Sequence, residues 1–404
     1  MCEMTDVSQT APRNVARRRP AASQTAPRED AAASETAPRS VRRRMSTTWD
    51  VALGGDCVGM NAPVIALTNA GFKVRERFRS EKNPSCRKLL QHMWPDVDLD
   101  FKDLTTRAPW QAPKVDLYVS GLDCRAWSRG AGRRGIADPR GQLWADSLKY
   151  IEENKPTVVL FENVPGMQDV AHRESLDTIF SLLSAAGYRY WYKMLNTRDH
   201  GLPHQRPRLY IAAVLHAVVG PKRELNWPEP LPATVSLKCL LAQPGVGAQP
   251  GLPPASLGKG RALRLVTSAL RSLQAKAPEF NMAERSLVVD IGCTDQFSNY
   301  AVDCFPALTA NRCSGEGWWI VDLGRQATLR DFFLLQGHAQ EVPYAAAKVS
   351  PVRMAHMLGN SMSLNVLERL LPRLLALAKI FPSAPRPDAW ETLTQRLTAQ
   401  QRYP

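Results

Sequence analysis

The chain has 404 residues, of which 44% are hydrophobic and 22% charged, and a formal net charge of +14. These values exclude a wholly disordered or collagen-like chain, and the length allows two or three domains or one large domain with an insertion. No stretch approaches the roughly 20 uninterrupted apolar residues of a membrane helix and the N-terminus carries no apolar signal core, so a soluble product without membrane partners is expected. The basic excess suits a polyanion-binding protein. Eight cysteines are scattered with no C-x-x-C pair, which predicts reduced thiols in place of a disulfide scaffold or a zinc site.

Residues 1–48 repeat Thr-Ala-Pro-Arg at 10–13, 25–28 and 36–39, with basic clusters at 17–19 and 42–44. Such composition cannot bury a core, so a disordered tail is expected, either importing the chain into the nucleus, touching nucleic acid, or merely solvated. From Trp49 the pattern changes. An apolar stretch at 51–53 enters the turn Gly54-Gly55-Asp56-Cys57-Val58-Gly59, followed by a helix over 63–69, a strand over 72–78 and a helix over 86–93. Next come strand 115–120, helix 141–153, strand 157–161, helix 175–186 and strands 188–195 and 209–215. Alternation at this spacing predicts an α/β domain around a largely parallel sheet. A Pro/Gly-rich segment at 219–254 leads to a smaller region with a basic helix at 261–276 and strand-like pieces at 287–291 and 318–321. Helical patterns return at 328–335 and 364–380, and the residues after 381 are Pro-rich, then polar.

Several residues on this frame could carry chemistry. Gly55, Cys57 and Gly59 occupy a strand-to-helix turn that either admits a nucleotide-like ligand or is an ordinary turn. Glu81, after the second strand, could accept two ribose hydroxyls, and Asp103-Leu104, after the third apolar stretch, could meet an adenine edge. Cys124 lies just beyond a buried strand, where α/β folds bind ligands; it is a nucleophile or a buried inert thiol. Arg129, Arg133, Arg134 and Arg140 follow in a Gly-containing loop suited to closing over phosphates. Glu162 ends the next buried strand, where a carboxylate can act as an acid toward a ring nitrogen. Arg206 and Arg208 alternate onto one face, where one can orient that carboxylate and the other grip a carbonyl oxygen.

Together these residues resemble the cytosine-C5 DNA methyltransferase family. The family's Gly-x-Pro-Cys-Gln-x-(Phe/Trp)-Ser is similar to Gly121-Leu122-Asp123-Cys124-Arg125-Ala126-Trp127-Ser128, continuing into Asp138-Pro139-Arg140-Gly141-Gln142-Leu143. Glu162-Asn163-Val164, His204-Gln205-Arg206-Pro207-Arg208, Pro306-Ala307-Leu308-Thr309 and Arg325-Gln326-Ala327-Thr328-Leu329-Arg330-Asp331, ending Leu335-Gln336-Gly337, follow in family order. Gly359-Asn360-Ser361-Met362-Ser363-Leu364-Asn365-Val366 closes the series.

The resemblance implies a Rossmann-like methyltransferase domain over 49–218 and 323–380, a target-recognition region over 219–322, and a disordered basic tail over 1–48. It implies that Cys124 attacks C6 of a flipped cytosine in DNA, that Glu162 protonates N3, that Arg208 binds O2 and that Arg206 holds Glu162. S-adenosylmethionine would donate the methyl group, held among Gly55, Cys57, Gly59, Glu81, Asp103, Leu104, Leu143, Asn360 and Ser361, with no metal. A nuclear monomer is expected. Asp123 stands where the family has proline, which frees φ, adds an N–H and sets a charge beside the thiol; Arg125 replaces glutamine and offsets that charge. Two alternatives stay open. One is a tRNA-directed member, whose Cys-Phe-Thr is only partly matched by Cys304-Phe305-Pro306; the other is a catalytically silent binding module of the same fold.

Overall fold

The computed structural model describes residues 49–127, 141–231, 235–242, 250–294 and 299–381. The expectations for the 1–48 tail, for Arg129, Arg133, Arg134 and Arg140, and for the residues beyond 381 fall outside them.

In chain order the first half contains β1 (Trp49–Asp56), α1 (Ala62–Asn69), β2 (Phe72–Ser80), α2 (Pro84–Met93), β3 (Leu99–Phe101), β4 (Leu117–Ser120), α3 (Gln142–Asn154), β5 (Val158–Asn163), α4 (Arg173–Ala185), β6 (Tyr188–Asn196), β7 (His204–Gln205) and β8 (Pro207–Leu215). Seven of these strands form one sheet in the order β3-β2-β1-β4-β5-β8-β6. The first five run parallel; β8 is antiparallel to both β5 and β6. Buried on both faces, β5 reads as a continuous apolar run from Val158 to Phe161. On one face the core includes Val51, Leu53, Val119 and Leu160 with α1; on the other, Tyr118, Val159 and Phe161 with α3 and α4. Because the chain leaves β1 for β2 on one side and returns to β4 on the other, the crevice beyond β1 and β4 is the sheet's topological switch point, where such folds bind ligands.

The second half begins with α5 (His216–Val219), α6 (Leu237–Leu241) and α7 (Arg261–Lys276). Then come β9 (Leu287–Asp290), β10 (Tyr300–Val302), β11 (Phe305–Pro306), α8 (Ala310–Ser314), β12 (Trp318–Ile320), β13 (Arg325–Gln326), α9 (Leu329–Leu335), α10 (Pro351–Asn360) and α11 (Leu364–Leu377). Strands β10-β9-β12-β13 make a small antiparallel sheet. Alternation along β9 and β12 sends Leu287, Val289 and Trp319 into a core with α7, and Val288, Trp318 and Ile320 into one with α6, α9 and α10. The basic helix therefore covers the small sheet with its apolar stripe. Helix α11 returns to the large sheet and packs against α1.

The structure adds several short elements to the sequence expectation, and three differences bear on the site or the core. Helix α10 was not foreseen; Ser350 caps it by accepting Arg353 N–H, and Pro351 opens it. The short β3 was foreseen only as an apolar stretch. Helix α11 ends at Leu377, three residues early, with Lys379 turning to a φ of 56°.

Candidate active site

The turn after β1 lies at the switch point. A Cβ on Gly55 would sit 2.6 Å from the Val119 carbonyl of β4, so only glycine permits this approach. Cys57 and Gly59 both have positive φ, 52° and 58°, and open space lies where a Gly59 side chain would project. Gly59 N–H donates to Glu81 Oε2 and Asn83 N–H to Glu81 Oε1, each at 2.8 Å. Each oxygen keeps a second lone pair, as a vicinal diol requires. Burial pushes the Glu81 carboxyl up, against these amides. The turn and Glu81 are thus brought together as expected.

Asp103 reaches the same edge but is held there by its own neighbours. Its Oδ1 accepts from the Thr105 amide and hydroxyl, and its Oδ2 from Lys82 Nζ at 2.6 Å. Burial would raise this carboxyl, but the Lys82 and Thr105 bonds prevail and lower it. Leu104 is buried, and Leu143 packs against the same core. Asn360 is exposed at the last position of α10, while Ser361 Oγ donates to the Met362 carbonyl. Met362 reaches the nucleophile strand: a Cβ on Gly121 would lie 3.1 Å from its Cε.

Cys124 opens a short 3-10 turn directly after β4, half-buried. Three contacts not anticipated from the sequence fix this turn. Asn163 Nδ2 donates to the Leu122 carbonyl at 3.1 Å. Gly166 lets its loop approach the Trp127 carbonyl, which a Cβ would meet at 2.5 Å. Trp127 itself is buried edge-on against Trp144 and His172. The signal for the first was the asparagine of Glu-Asn-Val; for the others the sequence carried none.

Glu162 ends β5 opposite Tyr210 of β8, which brings Arg208, two residues earlier on that strand, diagonally across to it. Arg208 Nε stands 3.2 Å from Glu162 Oε1. The expected partner, Arg206, makes no hydrogen bond to Glu162, so the contact expected of Arg206 falls to Arg208. Arg206 is fully buried and donates to three backbone carbonyls: Leu308 (2.5 Å), Gly359 (3.3 Å) and Ser361 (2.6 Å). The reason is positional. Arg206 precedes β8, beside the strand pair β7–β11, so it faces the loops of the second half, whereas Arg208 faces the sheet edge.

His204 works with Arg206. Its Nδ1 donates to the Leu335 carbonyl (2.9 Å) and its Nε2 accepts Leu308 N–H (3.2 Å), a pattern that requires the neutral ring. Burial and the Arg206 charge hold its pKa well below the usual imidazole range. Leu308 is therefore gripped at both its N–H and its carbonyl by residues two apart. Gly359 permits α10 to cross Thr309 and Ala310, where a Cβ would come within 2.4 Å of the Ala310 nitrogen.

The two candidate reacting groups share one electrostatic environment. Burial and the Glu162 charge push the Cys124 thiol up, with Arg208 pulling it back. Burial likewise raises Glu162, opposed by Arg208 and Arg206. Although Arg208 is close, Glu162 Oε1 accepts no well-aligned hydrogen bond, so a buried carboxyl oxygen next to the thiol has capacity to spare.

A doubly wound sheet whose switch point carries a glycine turn facing a carboxylate is a Rossmann-like methyltransferase frame. Residues 57–251 match the profile of C-5 cytosine-specific DNA methylases. Over 180 residues the chain is 32% identical to the type II methyltransferase M.HgiCII of Herpetosiphon aurantiacus, covering 44% of this chain and 36% of that one. Over 178 residues it is 28% identical to M.MthTI of Methanothermobacter thermautotrophicus, covering 43% and 51%. The fold matches the solved methyltransferase EhMeth of Entamoeba histolytica with a TM-score of 0.55 at 16% identity, covering 81% of this chain and 98% of that one. For the S. pombe Dnmt2 methyltransferase the TM-score is 0.51 at 17% identity, with 81% and 98% covered. The chain is similar to the C-5 cytosine-specific DNA methylases over about half its length, and its aligned segments span 36% and 51% of these two curated relatives.

Proposed function

We propose that this chain is a DNA (cytosine-5) methyltransferase, acting as a monomer on a cytosine flipped out of the duplex. The observation that carries the reading is the buried Glu162 oxygen without an aligned partner, at the strand end next to the one bearing Cys124. Cytosine C5 is a poor nucleophile until a thiolate adds to C6. Cys124 makes that addition, and Glu162, kept protonatable by burial, supplies the proton to N3 so that charge does not build on the ring. Arg208 orients Glu162 and is the arginine left to meet the base's O2. Burial raises the thiol's pKa, and Arg208 draws it back toward the thiolate that attacks C6.

The residues at the switch point fit an adenosyl group: Glu81 offers two acceptors for a ribose diol, and the Gly55–Gly59 turn leaves open space beside them. S-adenosylmethionine would be held there, with Leu104, Leu143, Asn360 and Ser361 along the rim, and supplies an electrophilic methyl group when bound. Residues 219–322 are assigned to target recognition, with Arg206 and His204 fastening them to the catalytic edge. The nuclear address rests on the basic clusters of the 1–48 tail and is tested by imaging a tagged chain without them. Tritium transfer from labelled S-adenosylmethionine to DNA and to tRNA, assayed side by side, tests the function: label at C5 of DNA cytosine supports it, and label in tRNA alone or in neither contradicts it.

A further inference from the structure

The nucleophile turn of this chain departs from its family's pattern on both sides of the cysteine, and the two departures meet in space. Asp123 has φ −50° and ψ 117°, a φ inside the range of about −65 ± 15° that a proline ring imposes. The freedom expected from replacing proline is therefore not used. Asp123 Oδ1 accepts the backbone N–H of Arg125 (2.9 Å), capping the 3-10 turn that starts at Cys124. The Arg125 guanidinium then grips the same carboxylate from the side: Nε lies 3.0 Å from both oxygens and Nη2 bonds to Oδ2. Asp123 is mostly buried in this arrangement, at 18% side-chain exposure, whereas Arg125 is 70% exposed. An ion pair so open to water contributes little to stability, so its value lies in geometry and local charge.

We infer that Asp123 and Arg125 are a positioning pair for Cys124: the Asp123 carboxylate caps the turn that carries the thiol, in place of a proline, and the Arg125 guanidinium holds that carboxylate and cancels its charge. The pair rests on the proposed role of Cys124 as nucleophile. Among the described residues, the charged groups acting on the thiol are Glu162 from β5, Arg208 from β8, Arg206 just before it, and Asp123 from its own turn. Arg125 acts on this balance through the Asp123 carboxylate that it grips.

Two measurements on the full chain separate capping from charge. The first is the pH dependence of Cys124 alkylation by iodoacetamide, read on the Cys124 peptide by mass spectrometry. The second is the rate of covalent capture of a 5-fluorocytosine duplex with S-adenosylmethionine present. Arg125→Ala leaves the carboxylate uncompensated and should raise the alkylation midpoint by about half a pH unit. Asp123→Asn and Asp123→Ala both remove the charge and should lower it. Only asparagine keeps a cap acceptor, so capture should slow about fivefold in Asp123→Ala and stay within about twofold in Asp123→Asn. Asp123→Pro, which fixes φ by its ring, should capture like Asp123→Asn. An unmoved midpoint in Arg125→Ala, or equal capture by Asp123→Ala and Asp123→Asn, overturns the inference. Failure of the wild type to capture at all overturns the proposed function instead, while the alkylation midpoints still decide on the pair's charge role.

Discussion

The edge of the seven-stranded sheet and the four-stranded sheet of the second half both bury acidic side chains, but treat them differently. In the small sheet, Asp322 accepts the Ser286 hydroxyl and the Leu287 amide. Nearby, Asp331 takes both arms of Arg325, the Thr328 amide and the Thr328 hydroxyl. Both oxygens of each carboxylate are bonded, and the two residues act as joints. At the edge of the large sheet, Glu162 Oε1 lacks an aligned donor, and so does Asp56 Oδ1, although Arg107 and Tyr118 both bond to Asp56 Oδ2. A buried oxygen left short of partners costs about 1–3 kcal/mol. The same contrast divides the two arginines of one motif. Arg206, whose Nη1 and Nη2 go to three backbone carbonyls, holds architecture, and Arg208, beside a carboxylate, is the one proposed to serve the reaction.

The sharpest break of this comparison is at the reacting groups. Cys124→Ser should abolish covalent capture of a 5-fluorocytosine duplex, and Glu162→Gln should slow methyl transfer by about 10²–10⁴-fold with the melting transition retained. Next in size is the arginine pair. Arg208→Ala should lower turnover with little change in stability. Arg206→Ala should cost about 3 kcal/mol in denaturant unfolding, because it strips three buried carbonyls of their donor. Should the two variants exchange phenotypes, the assignment of roles is wrong.

A smaller effect concerns His204, whose folded pKa is depressed. The unfolded chain takes up a proton first as pH falls, so this residue's contribution is fully present above the unfolded value and is lost as pH drops below about 6.5, by at most about 1.4 kcal/mol per unit. His204→Gln offers one donor and one acceptor without titrating. It should therefore flatten the acid limb of the stability profile relative to the wild type, as measured by urea unfolding between pH 5 and 7. Smallest at the active site is Asp322→Asn. It should destabilise by about 1–2 kcal/mol yet leave covalent capture unchanged per folded molecule.

The α/β frame was legible because its signals are local: apolar strands such as 157–161, a glycine turn after the first strand, and helices of regular spacing. The placement of Cys124 and Glu162 at neighbouring strand ends was legible too, since the apolar runs that precede them mark where those strands finish. What the sequence could not carry was pairing across long separations. Which of Arg206 and Arg208 meets Glu162 depends on the antiparallel register of β5 and β8, set by whole strands. Lys82 meeting Asp103, and Asn163 reaching Leu122, likewise depend on how neighbouring strand ends splay. Asp123 misled in the opposite direction. Read alone it promises a looser turn, and only the bond from the Arg125 amide shows it closing one.

The site at which a cytosine becomes attached decides the roles of Cys124 and Glu162 most directly. A DNA duplex carrying 5-fluorocytosine, incubated with the full chain and S-adenosylmethionine, should form a denaturation-resistant complex whose peptide map places the base on Cys124. The complex should vanish in Cys124→Ser and form far more slowly in Glu162→Gln. A folded protein that binds the duplex and forms no adduct, or forms one at another cysteine, would contradict the assignment of Cys124 and Glu162 as the reacting pair.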